Sequence, residues 1–310
     1  MHSVSFYSFR ILEKKGSKKS RKLDDLKKTN GNSAFIEVES FLKQNTNKAI
    51  NRPLSKSLIF LDGKGSLTIN SNRQLIHGYV KVGKYGESAE ITDTTLGTLK
   101  LKTLIDDITL RERYVLLYLP DGFDEGFVAI HSNDNISART VLFESIIQYF
   151  KDNYDLEARF NPLCHKKIPD YILDSEVKEI KAIGFETPSD VADSFGQIKT
   201  HIHSDLVIKH NEGFFGSFRD LNNKKIGNVI EIIEEQCDEV KVTLRIGSRD
   251  IVFKYSSILK KGISAELDDS DINIDASTGI PNVNDLHNTI VDISNEILLD
   301  IHSQNQGVII

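Results

Sequence analysis

RYVLLYLP, residues 113–120, is the stretch whose reading decides the fold. From Tyr114 onward it is apolar at odd and even positions alike. Successive side chains of a strand point to opposite faces, so a run apolar on both faces belongs in the middle of a covered sheet. It is far shorter than the ~18 apolar residues that a membrane helix requires. The linker DGFDE and a second apolar run, GFVAI, follow directly. Residues 137–152 (SARTVLFESIIQYFKD) then read as a helix, with Val141, Leu142, Ile146 and Phe150 on one face and Ser137 as its N-cap.

Upstream, residues 3–12 (SVSFYSFRIL) are rich in aromatic and β-branched residues and read as a strand. Residues 33–44 suit a short amphipathic helix carrying Phe35, Val38, Phe41 and Leu42, broken by Asn51-Arg52-Pro53. SLIFL and SLTIN flank Asp62-Gly63-Lys64-Gly65, a hairpin signal because glycine tolerates positive φ. LIHGYVKVG, AEITD and TLKLKTL supply further antiparallel strands.

Downstream, a strand is expected over 177–185, a helix start at Thr187-Pro188-Ser189-Asp190 and a strand at HIHSDLVIKH. VIEIIEEQC is a helix or an edge strand. The hairpin VKVTLRIGSRDIVFKY follows: Val240, Val242, Leu244 and Ile246 alternate, Gly247-Ser248 turns, and Ile251, Phe253 and Tyr255 return. The terminal helix places Leu286, Ile290, Ile293, Ile297 and Ile301 on one stripe. At 310 residues the chain exceeds what one core sustains. The expected architecture is therefore α+β, with mixed or antiparallel sheets and a few flanking helices in two subdomains. Residues 1–160 form the first; residues 161–310 form the second, with the basic hairpin (240–255) and the acidic terminal helix (284–304).

Charge is sorted along the chain. The overall net charge is −6, yet no Lys or Arg follows Lys261, and the 49 residues after it carry nine acids. Residues 1–28 hold nine basic residues against Glu13, Asp24 and Asp25, a net of +6. Residues 241–261 hold six against Asp250, a net of +5. A polyanion feels the local potential within a Debye length of about 8–10 Å, so nucleic-acid binding stays open despite the acidic total.

Two basic segments are candidates for phosphate contact. The loop KKGSKKSRK contributes Lys15, Lys18, Lys19, Arg21 and Lys22, a run able to displace counterions along a phosphate backbone. Its ordinary reading is a solvated loop, and without interleaved aromatics it makes no base-stacking platform. In the hairpin, Lys241, Thr243 and Arg245 alternate with apolar residues, Arg249 sits at the turn and Lys254 returns on the polar side. A ribbon with one cationic face fits a duplex groove or its phosphates; the alternative is an amphipathic hairpin whose outer face is merely wet.

Other chemistry is sparse. GxSxG, HExxH, GxxxxGK[ST] and GxGxxG are all absent. His201 and His203 would share a strand face, and with Asp205 or Cys164-His165 they could hold a metal, but the spacing provides no third ligand. Asp268, Asp269, Asp271 and Asp275 resemble a cation loop in charge only, since an EF-hand counted from Asp268 would need Gly where Asn273 stands and Glu where Gly279 stands. Two separated cysteines, no apolar leader and no membrane-length run point to a cytoplasmic chain.

The order of elements resembles the phage-exclusion RexA family. The matching features are FYSFRI running into KKGSKKSRK, YVLLYLPDG and FVAIHS leading through an N-D-N-x-S cap into ARTVLFESIIQYF, and VKEIKAIGFETPSDVADSF. The acidic terminal helix departs from that pattern. The resemblance implies a homodimer that binds double-stranded DNA with little sequence preference and serves abortive infection through a membrane-protein partner. The expectation is a non-enzymatic DNA-binding protein of a prophage or anti-phage system, without cofactor or small-molecule substrate. Its alternatives are a metal-dependent nuclease using His201 and His203, or a protein-interaction subunit that binds no DNA.

Overall fold

The structure, a computed structural model, describes residues 2–13, 17, 19–53, 56–63, 65–93, 95, 97–133, 136–163, 174–186, 203–209, 213, 215–222, 237–246, 249–255 and 264–301. It is an α+β protein built on antiparallel strand pairs. The chain divides into two compact units, Met1–Asn161 with Ile272–His287, and Pro162–Asp271 with Asn288–Ile309.

The sheet of the first unit contains β1 (His2–Leu12), β2 (Ala49–Arg52), β3 (Ser57–Phe60), β4 (Leu67–Asn70), β5 (Leu75–Lys84), β8 (Arg111–Tyr118), β9 (Gly126–Asn133), β10 (Ile136–Ser137) and β11 (Glu157–Pro162). Their order is β11-β1-β9-β8-β5-β3-β2, with β4 on β5 and β10 on β9. A separate two-stranded ribbon is formed by β6 (Glu90–Thr92) and β7 (Leu99–Lys102).

Strand β8 is central, as its two-sided apolarity requires: Tyr118 lies opposite Leu75 on one side and Phe127 on the other. One face meets helices α1 (Ala34–Gln44) and α2 (Arg139–Tyr154), where Val115, Leu117 and Leu119 share a core with Val38, Phe41, Leu42, Val141, Leu142, Ile146 and Phe150. On the opposite face the Tyr114 hydroxyl lies 2.5 Å from His287 Nδ1, His77 stacks on His287 at 4.1 Å, and the Tyr79 hydroxyl donates to the Pro281 carbonyl at 2.9 Å. Residues 272–287, late in the sequence, thus supply cover that the central strand needs.

Two local expectations are corrected. The segments SLIFL and SLTIN do not pair with each other. Strand β3 lies against residues 81–84 of β5 and β4 against residues 75–78, end to end along the same strand. Both run antiparallel to β5, so they cannot run antiparallel to each other. Gly78 permits this close approach: its φ is +142°, and a Cβ there would lie 2.0 Å from the Ser66 carbonyl oxygen. Ser137 is likewise not the N-cap of α2. Ala138 occupies that position, while Ser137 Oγ accepts from the Arg139 N–H at 3.0 Å. Helix α1 is capped by Ser33, which accepts from the Ile36 N–H.

The two helices are tied together by Glu37, only 1% exposed. Its carboxylate accepts from Asn32 Nδ2 at 2.8 Å and from the hydroxyls of Tyr149 and Tyr154 at 2.9 and 2.6 Å. Burial and these bonds raise both tyrosine pKa values, Tyr149 beyond the usual range and Tyr154 in the same direction.

The sheet of the second unit runs β13-β12-β14-β15-β16, from β12 (Glu176–Glu186), β13 (His203–Lys209), β14 (Glu239–Ile246), β15 (Arg249–Lys254) and β16 (Ser264–Glu266). Helices α3 (Phe218–Asn222), α4 (Asp269–Ile272) and α5 (Val283–Ile301) complete the described elements. The β14–β15 hairpin pairs from Ile246↔Arg249 to Lys241↔Lys254, and Val240, Val242, Leu244, Ile246, Ile251, Phe253 and Tyr255 are buried. Leu286, Ile290, Ile293 and Ile297 form the buried stripe of α5. The expected helix start at 187–190 and the segment 229–236 lie outside the described residues. No helix among the described residues is long and apolar enough to cross a membrane.

One buried pair gives the fold a pH dependence. His131 is 1% exposed, its Nε2 lies 3.0 Å from His2 Nδ1, and the two rings stack at 5.2 Å. Burial, then the charges of His2 and Arg113, lowers the His131 pKa from 6.5 to about 3. Between those values the unfolded chain takes up a proton that the folded one refuses. This contribution is intact above pH 6.5 and is lost as pH falls towards 3, by on the order of 4 kcal/mol. Urea unfolding followed across this range should show a flatter pH profile for His131→Leu than for the parent chain; an unchanged profile would rule out this origin.

Candidate functional site

The described cations of the hairpin, Lys241, Arg245 and Lys254, are already paired. Lys241 is 5% exposed, and its ammonium lies 2.7 Å from Glu266 of β16 and 3.7 Å from Glu239. Lys254, its cross-strand neighbour, reaches Glu239 at 2.6 Å. Two ammonium groups directly opposite each other would repel, and Glu239 sits where it can neutralise both. Arg245 faces Asp250 across the hairpin and binds it through two nitrogens, the longer bond at 3.1 Å; Lys178 of β12 adds a second cation at 2.8 Å from the same carboxylate. The alternation expected from sequence therefore exists, but it places each described cation beside an acid. The Arg249 side chain lies outside the described residues.

In the N-terminal basic loop, Lys15 and Lys18 lie outside the described residues. Arg21 pairs with Glu13. Lys19 and Lys22 are exposed and pair with no described acid, as is Lys27 a little further on.

The acidic segment uses its charge locally. Asp268 accepts from the Ser270 N–H at 2.9 Å. Asp275 accepts from the N–H groups of Ser277 and Thr278 at 2.8 and 2.9 Å, and bonds from Ser277 above all hold its pKa down to about 2. Among the described residues no group of three or more His, Cys, Asp or Glu side chains is placed to hold a metal. Asp205 instead pairs with Lys181 at 2.8 Å. Cys164, His165, His201 and the side chain of His203 lie outside the described residues.

A different cationic site stands in the first unit. A cleft of about 390 Å³ is lined by Ser5 and Tyr7 of β1, Ser57 of β3, residues 82–84 of β5, Ser132 of β9, and residues 137 and 139–141 at the start of α2. Among the described residues, Lys84 and Arg139 are its charged lining and no carboxylate lines it. Both are exposed and pair with no described acid. The Arg139 guanidinium lies 5.9 Å from the Tyr7 ring centre and donates to its hydroxyl at 3.4 Å, which aims the cation along the cleft wall. Ser5, Ser57, Ser132, Ser137 and Thr140 bring hydroxyls. Helix α2 has no acidic residue in its first turn, so its positive end is not offset there. Two cations, a ring of hydroxyl donors and a helix start make the chemistry of an oxyanion or phosphate site.

Sequence reading missed this cleft because its lining comes from separate strands and one helix end. Lys84 and Arg139 are single basic residues 55 positions apart and form no run. The available signal was Arg139, at the first position of a strong helix with no acid three or four residues away to pair with it. No protein-family model and no curated protein matches the chain.

Lys241→Ala would leave Glu266 buried without its ammonium, and loss of one partner from a buried pair costs about 3–5 kcal/mol. Chemical denaturation of the full chain should show a loss of this size, against a loss of about 1 kcal/mol or less for the more exposed Arg245→Ala. Equal, small losses would mean that Lys241 is not held as described.

Proposed function

We propose that this chain is a non-enzymatic, largely sequence-nonspecific double-stranded DNA-binding protein of an anti-phage or prophage exclusion system. In this reading it grips the phosphate backbone with its first unit rather than with the β14–β15 hairpin. The observation that carries the proposal is the cleft with Lys84 and Arg139 as its charged lining and no carboxylate among its described lining residues. Exposed Lys19, Lys22 and Lys27 on the same unit add unpaired positive charge. The biological setting follows from the resemblance to phage-exclusion proteins.

Recognition of this kind is electrostatic. Each phosphate neutralised by a lysine or arginine releases condensed counterions, so affinity falls steeply with salt. The hydroxyls of the cleft orient a phosphate without reading bases, which suits low sequence preference. Cations already bound to carboxylates contribute little, because the duplex phosphate must compete with an acid fixed in place.

Mobility shifts of a short duplex over a salt series test this. Lys84→Ala combined with Arg139→Ala should weaken binding and lower the magnitude of the log–log salt slope by about 2, one for each lost contact. Arg245→Ala with Lys254→Ala should leave affinity and slope unchanged. The reverse pattern would restore the hairpin as the contact, and the absence of any shift by the parent chain at low salt would refute DNA binding.

A further inference from the structure

We propose that the cleft beside Lys84 and Arg139 is filled by a phosphate monoester, the terminal phosphate of a DNA strand, so that the protein prefers duplex ends to duplex interior. The inference rests on the reading of this cleft as a phosphate contact and adds which phosphate it takes. The shape of the cleft is the first observation. At about 390 Å³ it falls within the roughly 300–1,000 Å³ of small-ligand sites, with room for a nucleotide and none for a duplex. Its lining is graded. Ser57, Val82 and Val141 are 6%, 3% and 1% exposed, whereas Lys84, Arg139 and Thr140 stand in solvent. An internal phosphodiester is tied to a sugar on both sides. It can touch the exposed cations, but the strand on either side keeps it out of the recess. A strand end is tied on one side only and can enter.

Charge and donors point to the same occupant. An internal phosphodiester carries a single negative charge, whereas a terminal monoester carries about −1.5 to −2 at neutral pH and presents three strong acceptor oxygens. The described lining offers two cations and no carboxylate, which matches the monoester and leaves a diester overcompensated. The Arg139 guanidinium is held 5.9 Å from the Tyr7 ring centre and gives one nitrogen to the Tyr7 hydroxyl. Its remaining N–H groups form a fork suited to two oxygens of one phosphate. Ser137 Oγ accepts from the Arg139 N–H at 3.0 Å and so keeps its own hydrogen for a ligand oxygen. Thr140, exposed one position beyond Arg139, adds another hydroxyl on the same side.

Equilibrium binding of the full chain to three forms of one duplex tests this: hydroxyls at all four strand ends, phosphates at all four, and a dumbbell whose ends are closed by hairpin loops. The phosphorylated form should bind roughly tenfold more tightly than the other two, the worth of at least one charge-assisted hydrogen bond. Lys84→Ala combined with Arg139→Ala should abolish that preference with the thermal midpoint unchanged, since both side chains are exposed. Arg245→Ala with Lys254→Ala should retain it. A free deoxynucleoside monophosphate should displace the phosphorylated duplex only at much higher concentration; equal affinity would assign the cleft to a small molecule and overturn the DNA-end assignment. Equal binding of all three forms by the parent, weakened alike by the double substitution, would overturn this inference and leave the backbone contact standing. A preference that survives the double substitution would also overturn it. A parent chain that binds none of the three would remove the DNA reading and this inference with it.

Discussion

A lysine ammonium taken out of water must be met by a carboxylate at the same place. Lys241 is such a group, and the consequence runs through the second unit. Its partner Glu266 comes from β16, and Glu239 at the start of β14 is shared with Lys254. One strand further along, Asp250 is shared by Arg245 and Lys178. The hairpin that carries the densest described positive charge of the second half is thus a lattice of ion pairs holding β12, β14, β15 and β16 in register. These cations serve the sheet, and a ligand phosphate would have to displace an acid to reach them.

The first unit has the opposite arrangement. Its most buried carboxylate, Glu37, is satisfied by neutral donors from Asn32, Tyr149 and Tyr154, and its buried Arg113 donates to the backbone carbonyls of Glu112 and Asn133. Several of its cations are left in solvent without acids, among them Lys84 and Arg139 beside a hydroxyl-lined cleft. A chain with net charge −6 can in this way present local positive potential, since screening limits what distant acids contribute.

Much of the fold was legible in the sequence because it follows from periodicity. The two-sided apolarity of 114–119 placed β8 at the centre of its sheet, alternation gave the β14–β15 hairpin its register, and the apolar stripes located α1, α2 and α5. What was not legible depends on which strand lies beside which. Asp62-Gly63-Lys64-Gly65 has the composition of a hairpin turn, yet β5 is long enough to take β3 and β4 end to end, and pairing with β5 prevailed. Alternation correctly set Lys241 and Arg245 on one face, but it carries no information about Glu266, 25 residues away, or about Lys178 across the sheet. The cleft was hidden for the same reason, its lining being gathered from residues 5 to 141.

Phosphate contact is proposed for the cleft between β5, β9 and the start of α2. Backbone amide NMR spectra of the isotopically labelled full chain, recorded with and without a short duplex at low salt, test it most directly. Shift changes should concentrate at residues 82–86 and 132–141, with the amides of 240–246 and 249–254 unmoved. Changes concentrated in the hairpin, or no changes in either place, would contradict it.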